Sequence, residues 1–558
     1  MYILGLIGRK GTECHDASVA LLKDGKIIVA VEQERFSRRK HAVGESPIDA
    51  ALYCLKYAGI SINDGDYITY GWVEDEVLKS REEAFNGSII KSDLLSEILL
   101  PKNIFRYCNT PPIYFVKHHI AHMEVAFWDS GFQDAACLVV DGQGESASIT
   151  LAEVDKDGIK IIKQFGIHYS LGIFYDAATE YSGLGLDVPG KFMGLSAYGK
   201  PYDLLPIQFD SERGEFVKHP LSKYSNLSAK EVYNKWILYF KENYYPYKMG
   251  TRDELIYYLD FAATIQNTLT SVILSILKYL KSETQSKNLI ITGGVGLNCI
   301  TNHYIFKSKI FKNIFVHPAT NDAGCSIGAI YHLCRFLGLK INRTNEFSPF
   351  LGPSYTKNSI KKILASYNVT ATYMVDSKLV EVVAEDLVNN KIVGWFQGRM
   401  EIGPRALGSR SILGNPCFRE NLYKINKIKG REIWRPLAPS VLDEHFDDIF
   451  ENECSKILCR YMLTTAKIRD VWTKKIPAVV HIDHTTRPQI VTKKDGIYHK
   501  LIKSFFNKTG VPLIINTSFN RAGMPIVNSP KEAIQVFLDT SIDVLVIENF
   551  YITKEGTK

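Results

Sequence analysis

A chain of 558 residues exceeds what one hydrophobic core usually organises, so two or more domains are expected. Hydrophobic residues at 46% and charged residues at 23% exclude a disordered or fibrous chain. The net charge of +7 is small for this length and spread over both halves, which excludes the concentrated basic stripe of a dedicated nucleic-acid binder, and no nucleic-acid partner is expected.

The first eight residues read as a short apolar strand rather than a signal peptide, because no charged n-region precedes the apolar run and no small-residue cleavage site follows it. No apolar run reaches the roughly 18 residues that span a bilayer, so no membrane partner is expected. Ten scattered cysteines without a Cys-x-x-Cys pair predict reduced thiols in a cytoplasmic protein, not a zinc ribbon or a disulfide framework. Residues 2–7 and 26–32, with a turn signal at Asp24 and Gly25, predict a β-hairpin whose first loop carries Gly11, His15, Asp16, Ala17 and Ser18. The charged run at residues 32–41 predicts a solvated face.

Within residues 116–124, His118 and His122 are four apart, so on a helix they share one face and can bind a single cation, while His119 points elsewhere. The strand at residues 138–140 runs into Asp141-Gly142-Gln143-Gly144-Glu145-Ser146, a turn whose glycines let backbone N–H groups approach an anion. Residues 190–201 form another glycine-punctuated basic turn around Lys191. A third apolar strand, residues 288–291, enters Thr292-Gly293-Gly294-Val295-Gly296-Leu297-Asn298, and Asp322 opens a glycine-containing loop before a helix. Taken singly, these are also readable as tight turns and a structural histidine pair. A His, His and Asp set with open positions suits a divalent transition metal; the facial-triad pattern points to Fe(II), with zinc and manganese left open.

Residues 339–354 lose helical periodicity and gather Asn, Ser, Pro and Gly, the signature of a linker. A helix at about residues 355–366 and strands at residues 392–396 and 514–515 predict a second α/β unit. Three further runs stand in it: GRMEIGPRALGSRSIL (398–413), KGREIWRPLAPS (429–440) and GVPLIINTSFN (510–520). The second places Lys429, Arg431 and Arg435 within seven residues, a set suited to a small multiply charged anion, since Arg offers a rigid bidentate fork and Lys a movable point charge.

These three runs closely resemble the C-terminal half of the ATP-dependent O-carbamoyltransferases, the family of the nodulation, cephem and aminoglycoside carbamoyltransferases. The strand-to-loop elements of the first half resemble the nucleotide-binding motifs of the actin-like (ASKHA) ATPase superfold and match the family's N-terminal domain. The resemblance implies a duplicated actin-like α/β domain over residues 1–345 and a YrdC-like α/β domain over residues 346–558. It implies that carbamoyl phosphate and ATP, with Mg(II), give carbamoyladenylate in the second, and that the carbamoyl group passes in the first to a hydroxyl of a sugar or other secondary metabolite, as in antibiotic biosynthesis. It carries His118, His122, Asp141 and Asp322 onto the metal and acceptor site, and places the GKFMGL run (190–195), with Lys191, beside the nucleotide phosphates. The family's Glu-Glu-Arg reads Gln33-Glu34-Arg35 here, a departure at residue 33.

For such a reaction Lys429, Arg431 and Arg435 supply cations to the phosphate, Arg405 or Arg487 clamps a second phosphate, and Asn516 with Ser518 hydrogen-bonds a planar carbamoyl group. His15, Gly293, Gly294 and Asn298 complete the expected nucleotide and substrate contacts. His118, His122, Asp141, Lys429 and Arg435 are the expected catalytic set, with the metal or a nearby carboxylate activating the acceptor hydroxyl as AMP departs. No Gly-x-Ser-x-Gly elbow suggests covalent serine catalysis. Tyr169, Phe174, Tyr175 and Tyr181 either enclose the acceptor or pack the core. A homodimer is compatible with this reading. A threonylcarbamoyl-tRNA enzyme would require a basic RNA-binding surface that the near-balanced charge does not supply. A nucleotide-gated binding protein would have no use for the cations of residues 429–439. The hydrogenase-maturation relatives carry acylphosphatase and Cys-x-x-Cys modules not visible here.

Overall fold

The structure is a computed structural model that describes residues 1–11, 14–74, 89–93, 95–186, 188–203, 205–244, 258–343 and 346–554. The chain forms two compact units, Met1–Gln33 with Val43–Phe347, and Glu34–Ala42 with Ser348–Lys558. The described residues of the predicted linker lie outside helices and strands; Thr344 and Asn345 of it lie outside the described residues.

The first unit holds two sheets. One is built from β1 (Tyr2–Ile7), β2 (Ser18–Lys23), β3 (Lys26–Glu32), β4 (Tyr67–Tyr70), β5 (Ile89–Ser92) and β6 (Ile113–Val116), in the order β3-β2-β1-β4-β6-β5. The other uses β7 (Asp134–Val140), β8 (Ala147–Asp155) and β9 (Ile159–Gly166), then, past a small hairpin of β10 (Gln208–Asp210) and β11 (Glu215–Lys218), β12 (Asn288–Thr292) and β13 (Asn313–Val316). Its order is β13-β12-β7-β8-β9. In both sheets three consecutive antiparallel strands are extended by two parallel ones, so one topology occurs twice. This is the duplicated actin-like fold.

In each half the last parallel strand leads into a helix, His118–Ser130 after β6 and Cys325–Phe336 after β13. The two helices pack on each other, and Gly328 permits it: a Cβ there would stand 1.8 Å from the Ala121 carbonyl oxygen. Two helix N-termini are thereby brought to the carboxyl ends of β7 and β12, the end of a parallel sheet where ligands bind.

The second unit is a mixed eight-stranded sheet, the YrdC-like α/β domain. Its strands are β14 (Thr372–Tyr373), β15 (Val393–Phe396), β16 (Arg410–Gly414), β17 (Ala438–Leu442), β20 (Gln489–Val491), β21 (Leu513–Ser518), β22 (Val544–Ile547) and β23 (Phe550–Thr553). They run in the order β14-β23-β22-β15-β16-β21-β17-β20, with β18 (Ala466–Lys467) and β19 (Thr485–Thr486) as a separate pair. Trp395, Ile412, Val441, Ile514 and Leu545 form the centre of its core.

Several sequence readings are corrected. The hairpin across Asp24 and Gly25 pairs β2 with β3, and β1 pairs with β2 rather than with residues 26–32. Residues 18–22 of β2 are buried on both faces, so the strand shows no polar alternation, and Ser18 belongs to it rather than to the loop. The charged run is not a solvated face: Glu32, Gln33, Glu34 and Arg35 are buried, and residues 34–42 belong to the second unit. There Arg35 pairs with Glu34 and donates to Gly403 O, while Arg38 donates to Pro525 O and Ile526 O and pairs with Glu532. The GKFMGL run is a helix, Pro189–Leu195, rather than a turn; Pro189 pre-sets its first turn, and Phe192, Met193 and Leu195 anchor it in the core. Of the two alternatives for the aromatic residues, core packing describes Phe174, Tyr175 and Tyr181, which are buried against Trp236, Phe192 and Phe261 with ring centroids 4.8, 5.3 and 5.2 Å apart. Tyr169 is half-buried and stacks on Phe216.

Candidate functional site

In the first unit His118 and His122 lie on the first turns of one helix, fully buried, with their Nε2 atoms 3.1 Å apart. Asp141, just past β7, places Oδ2 3.3 and 3.4 Å from these two nitrogens. Asp322, in the turn leading to the second helix, places Oδ1 3.4 and 3.7 Å from them. Ligands held at about 2.1 Å around one ion stand about 3.0–3.4 Å from each other, so the four donors have the spacing of a coordination shell.

The outer contacts orient these donors. His118 Nδ1 lies 3.1 Å from Gly71 O, an acceptor, so that nitrogen keeps its proton and Nε2 is the one that would give up its proton to an ion. His122 Nδ1 lies 3.3 Å from Thr292 Oγ1. Gly294 N donates to Asp141 Oδ1 at 3.0 Å, and Glu145 Oε1 accepts from the N–H groups of His118 and Val73 at 2.8 and 3.0 Å. Burial opposes charge on both imidazoles, but Cys325 and the two carboxylates outweigh it and hold them well above the usual histidine value. Asp322 is lowered to about 2: burial opposes this, and the histidines beside it prevail. The cluster is therefore built around positive charge, which a divalent cation supplies in one particle. His119, by contrast, is lowered by burial to about 3, is neutral, and meets Thr150 Oγ1 at 2.7 Å. His15, with a half-exposed side chain, stands 4.0 Å from Asp322 at the margin.

The second unit holds the opposite imbalance. Lys429 ends the helix Glu420–Lys429 and is buried, with Nζ donating to Ser518 Oγ at 3.1 Å, Asn520 Oδ1 at 2.7 Å, Asn520 O at 3.1 Å, and Ser518 O. Two motifs eighty-nine residues apart thus meet on one ammonium. Gly430 turns the chain out of the helix at φ 62°, and Asn426 staples the segment beyond it, accepting from Arg431 Nε at 2.5 Å and donating to Ile433 O and Arg435 O. Burial, then Arg431, Arg435 and Lys40, lower Lys429 well below the ordinary lysine value. Burial, then Arg435 and Arg487, lower Arg431 to about 9. Glu432, 3.7 Å from Arg435, is the nearby counter-charge. Buried Arg431 Nη2 and Arg487 Nε donate no hydrogen bond among the described residues. Such a set is complementary to an anion.

Residues 5–331 match the family described as Carbamoyltransferase N-terminus, and residues 384–554 that described as Carbamoyltransferase C-terminus. The chain belongs to the carbamoyltransferase family. It is similar to the nodulation protein NolNO of Sinorhizobium fredii (strain NBRC 101917 / NGR234), 33% identical over 97% of this chain and 79% of that one. It is similar also to the uncharacterized protein sll1178 of Synechocystis, 34% identical over 97% and 95%, and to nodulation protein U of Rhizobium fredii, 27% identical over 90% and 88%. Among solved structures, full-length HypF in its phosphate- and nucleotide-bound form is 12% identical over 61% of this chain and 56% of that one, with a TM-score of 0.33, too slight a likeness to bear on function.

This carbamoyltransferase uses some of the residues named from sequence for structure. Asn298 caps the helix Cys299–Ser308, accepting from Thr301 N at 3.0 Å, and donates to Gln266 Oε1 at 2.9 Å. Gly293, at φ 88°, lets the chain pass the Val140 carbonyl. Lys191 sits half-buried on the short helix Pro189–Leu195. Asn516, 1% exposed, donates to Ser440 Oγ, Gln489 Oε1 and Ala406 O, leaving a buried Oδ1 with no hydrogen bond among the described residues. Arg405 lies in a loop that Glu401 organises by accepting from the N–H groups of Leu407, Ser409 and Arg410. Arg410 is fully buried and bonds four backbone carbonyls, a structural role. Sequence reasoning missed Cys325, Glu145 and Gly71 in the first site and Asn520 and Lys40 in the second. Cys325, Glu145 and Asn520 stood inside runs already singled out; Lys40 stood in the charged run at residues 32–41, whereas Gly71 carried no local signal.

Proposed function

We propose that this carbamoyltransferase makes carbamoyladenylate from carbamoyl phosphate and ATP in its second unit and transfers the carbamoyl group, in its first, to a hydroxyl of a small molecule. The observation that carries the reading is the meeting of residues 429–435 and 518–520 on Lys429, with Arg431, Arg435 and Arg487 gathered near Glu432. The carbamate portion of carbamoyl phosphate is joined to the AMP portion of ATP, with water consumed and phosphate and pyrophosphate released. Lys429, Arg431, Arg435 and Arg487 offset the phosphate charge as it redistributes, and Ser518 and Asn520 hold the Lys429 ammonium in place.

In the transfer step the acceptor oxygen attacks the carbamoyl carbon, the bond from that carbon to the AMP oxygen breaks, and AMP leaves. His118, His122, Asp141 and Asp322 would hold a divalent ion, Fe(II) in the reading offered, which lowers the pKa of a bound hydroxyl and polarises an acyl oxygen. Asp141 and Asp322 are ionised at neutral pH and so are able to take the hydroxyl proton, while His15 borders the carboxylates on the accessible side. The test is AMP and pyrophosphate release from ATP, with and without carbamoyl phosphate, repeated with hydroxylated metabolites and with tRNA. Carbamoyl-phosphate-dependent pyrophosphate release supports the reading. Nucleotide turnover indifferent to carbamoyl phosphate defeats it, and stimulation by tRNA alone transfers the acceptor assignment to RNA.

A further inference from the structure

The two imidazoles of the first unit face a second kind of donor. Cys325 Sγ and ring nitrogens of His118 and His122 all lie within 4.8 Å of one another, and all three residues are fully buried. The same two histidines thus belong to two overlapping donor sets, one completed by the carboxylates of Asp141 and Asp322 and one completed by a thiol. A buried cysteine ordinarily serves as a small hydrophobe among apolar neighbours. This one opens the helix Cys325–Phe336 with its side chain against two imidazoles.

The backbone around it is shaped for that approach. A Cβ on Gly71 would stand 3.0 Å from Cys325 O and 3.1 Å from Cys325 Cβ, so a side chain there would require Cys325 to shift by a few tenths of an ångström. Gly71 O is also the acceptor that sets the His118 tautomer and leaves Nε2 free to coordinate. One residue therefore packs against Cys325 and aims the His118 nitrogen beside it.

We propose that His118, His122 and Cys325 form a thiolate-bearing site for a thiophilic divalent ion such as Zn(II), sharing its imidazoles with the carboxylate-bearing site of Asp141 and Asp322. Imidazole and thiolate favour zinc, whereas carboxylates favour harder ions such as Mn(II), so the choice of donor set follows the ion offered. As the sulfur–metal bond forms, the thiol gives its proton to solvent.

The experiment uses the full chain, stripped of metal and loaded with one equivalent of Zn(II) or Mn(II). X-ray absorption of the zinc form is expected to show a sulfur scatterer at about 2.3 Å beside nitrogen at about 2.0 Å. Cys325→Ser is expected to lose that scatterer and to bind Zn(II) at least about tenfold more weakly, with Mn(II) affinity within about twofold of the parent. Should the variant fold poorly, the wild-type spectrum decides: zinc ligated by nitrogen and oxygen alone overturns the proposal. A sulfur shell persisting in folded Cys325→Ser overturns it equally. The inference rests on the imidazole pair being a metal site, and the outcomes separate the two claims: a protein that binds neither ion sinks both, whereas zinc bound without sulfur sinks the Cys325 assignment alone.

Discussion

The histidine cluster of the first unit and the lysine–arginine cluster of the second are complementary to opposite charges. Around His118 and His122 two carboxylates and a thiol converge, so the site is stabilised by added positive charge. Around Lys429 the neighbours are cations, with Glu432 in partial compensation, so the site is stabilised by added negative charge. The difference matches the division of labour proposed above: buried cations that repel each other suit an anion, and buried carboxylates and imidazoles suit a cation able to polarise an acyl group.

The largest effect is expected from His118→Ala. It is expected to take bound divalent metal from one equivalent to none by elemental analysis, and to lower carbamoyl transfer by on the order of a thousandfold. Pyrophosphate release driven by carbamoyl phosphate should persist. Equal metal content in variant and parent would remove His118 from the ligand set.

Lys429→Ala is the mirror experiment. Loss of a charge-assisted phosphate contact, worth about 1.5–3 kcal/mol, predicts carbamoyladenylate formation reduced by roughly ten- to 150-fold. Metal content should stay at the parental value, and the same pattern is expected for Arg435→Ala. Near-normal AMP and pyrophosphate formation in either variant contradicts the assignment of this cluster.

A smaller effect is expected from Glu145→Gln. Glu145 touches no ligand atom but accepts from the backbone N–H of His118, so the variant should weaken metal binding by about tenfold without changing the number of ions held. Unchanged affinity in a titration with Mn(II) would make this contact merely structural.

A pH slope, confined to acid solution, is expected in metal-free protein. The Asp322 carboxyl sits at about 2 in the folded chain against an ordinary 3.8, so between those values the unfolded chain binds more protons and stability rises with pH. Its contribution, on the order of 2 kcal/mol, is complete above about pH 5 and is lost as the pH falls toward 2. Denaturant midpoints at pH 5 and pH 3 should converge more in Asp322→Asn than in the parent. Identical slopes would show that Asp322 is not paired with the histidines.

What could be read locally was read well. The four-residue spacing of His118 and His122 needed only helical periodicity, and the helix is there. The strands at residues 138–140 and 288–291 announced themselves as apolar runs ending in glycine turns. Two of the misreadings share one cause, burial decided from composition. Residues 18–22 lack alternation because both faces of β2 are covered, and residues 34–35 are buried because their charges find each other and Gly403 O. Asn298, just before Cys299, is of a residue type favoured at helix N-caps, and it caps that helix.

By itself, the sequence determined the α/β class, the family, and the residue types of both charged clusters, because these depend on patterns within a few residues or within contiguous motifs. Tertiary structure alone decided which charges meet. Cys325 reaches two histidines some two hundred positions away because Gly328 lets two helices touch. Lys429 is held by Ser518 and Asn520, and residues 34–42 join the second unit. The physical reason is that the charge state and partner of a buried ionisable group are set by everything within a few ångströms of it, and in this chain those neighbours come from segments that only the fold brings together.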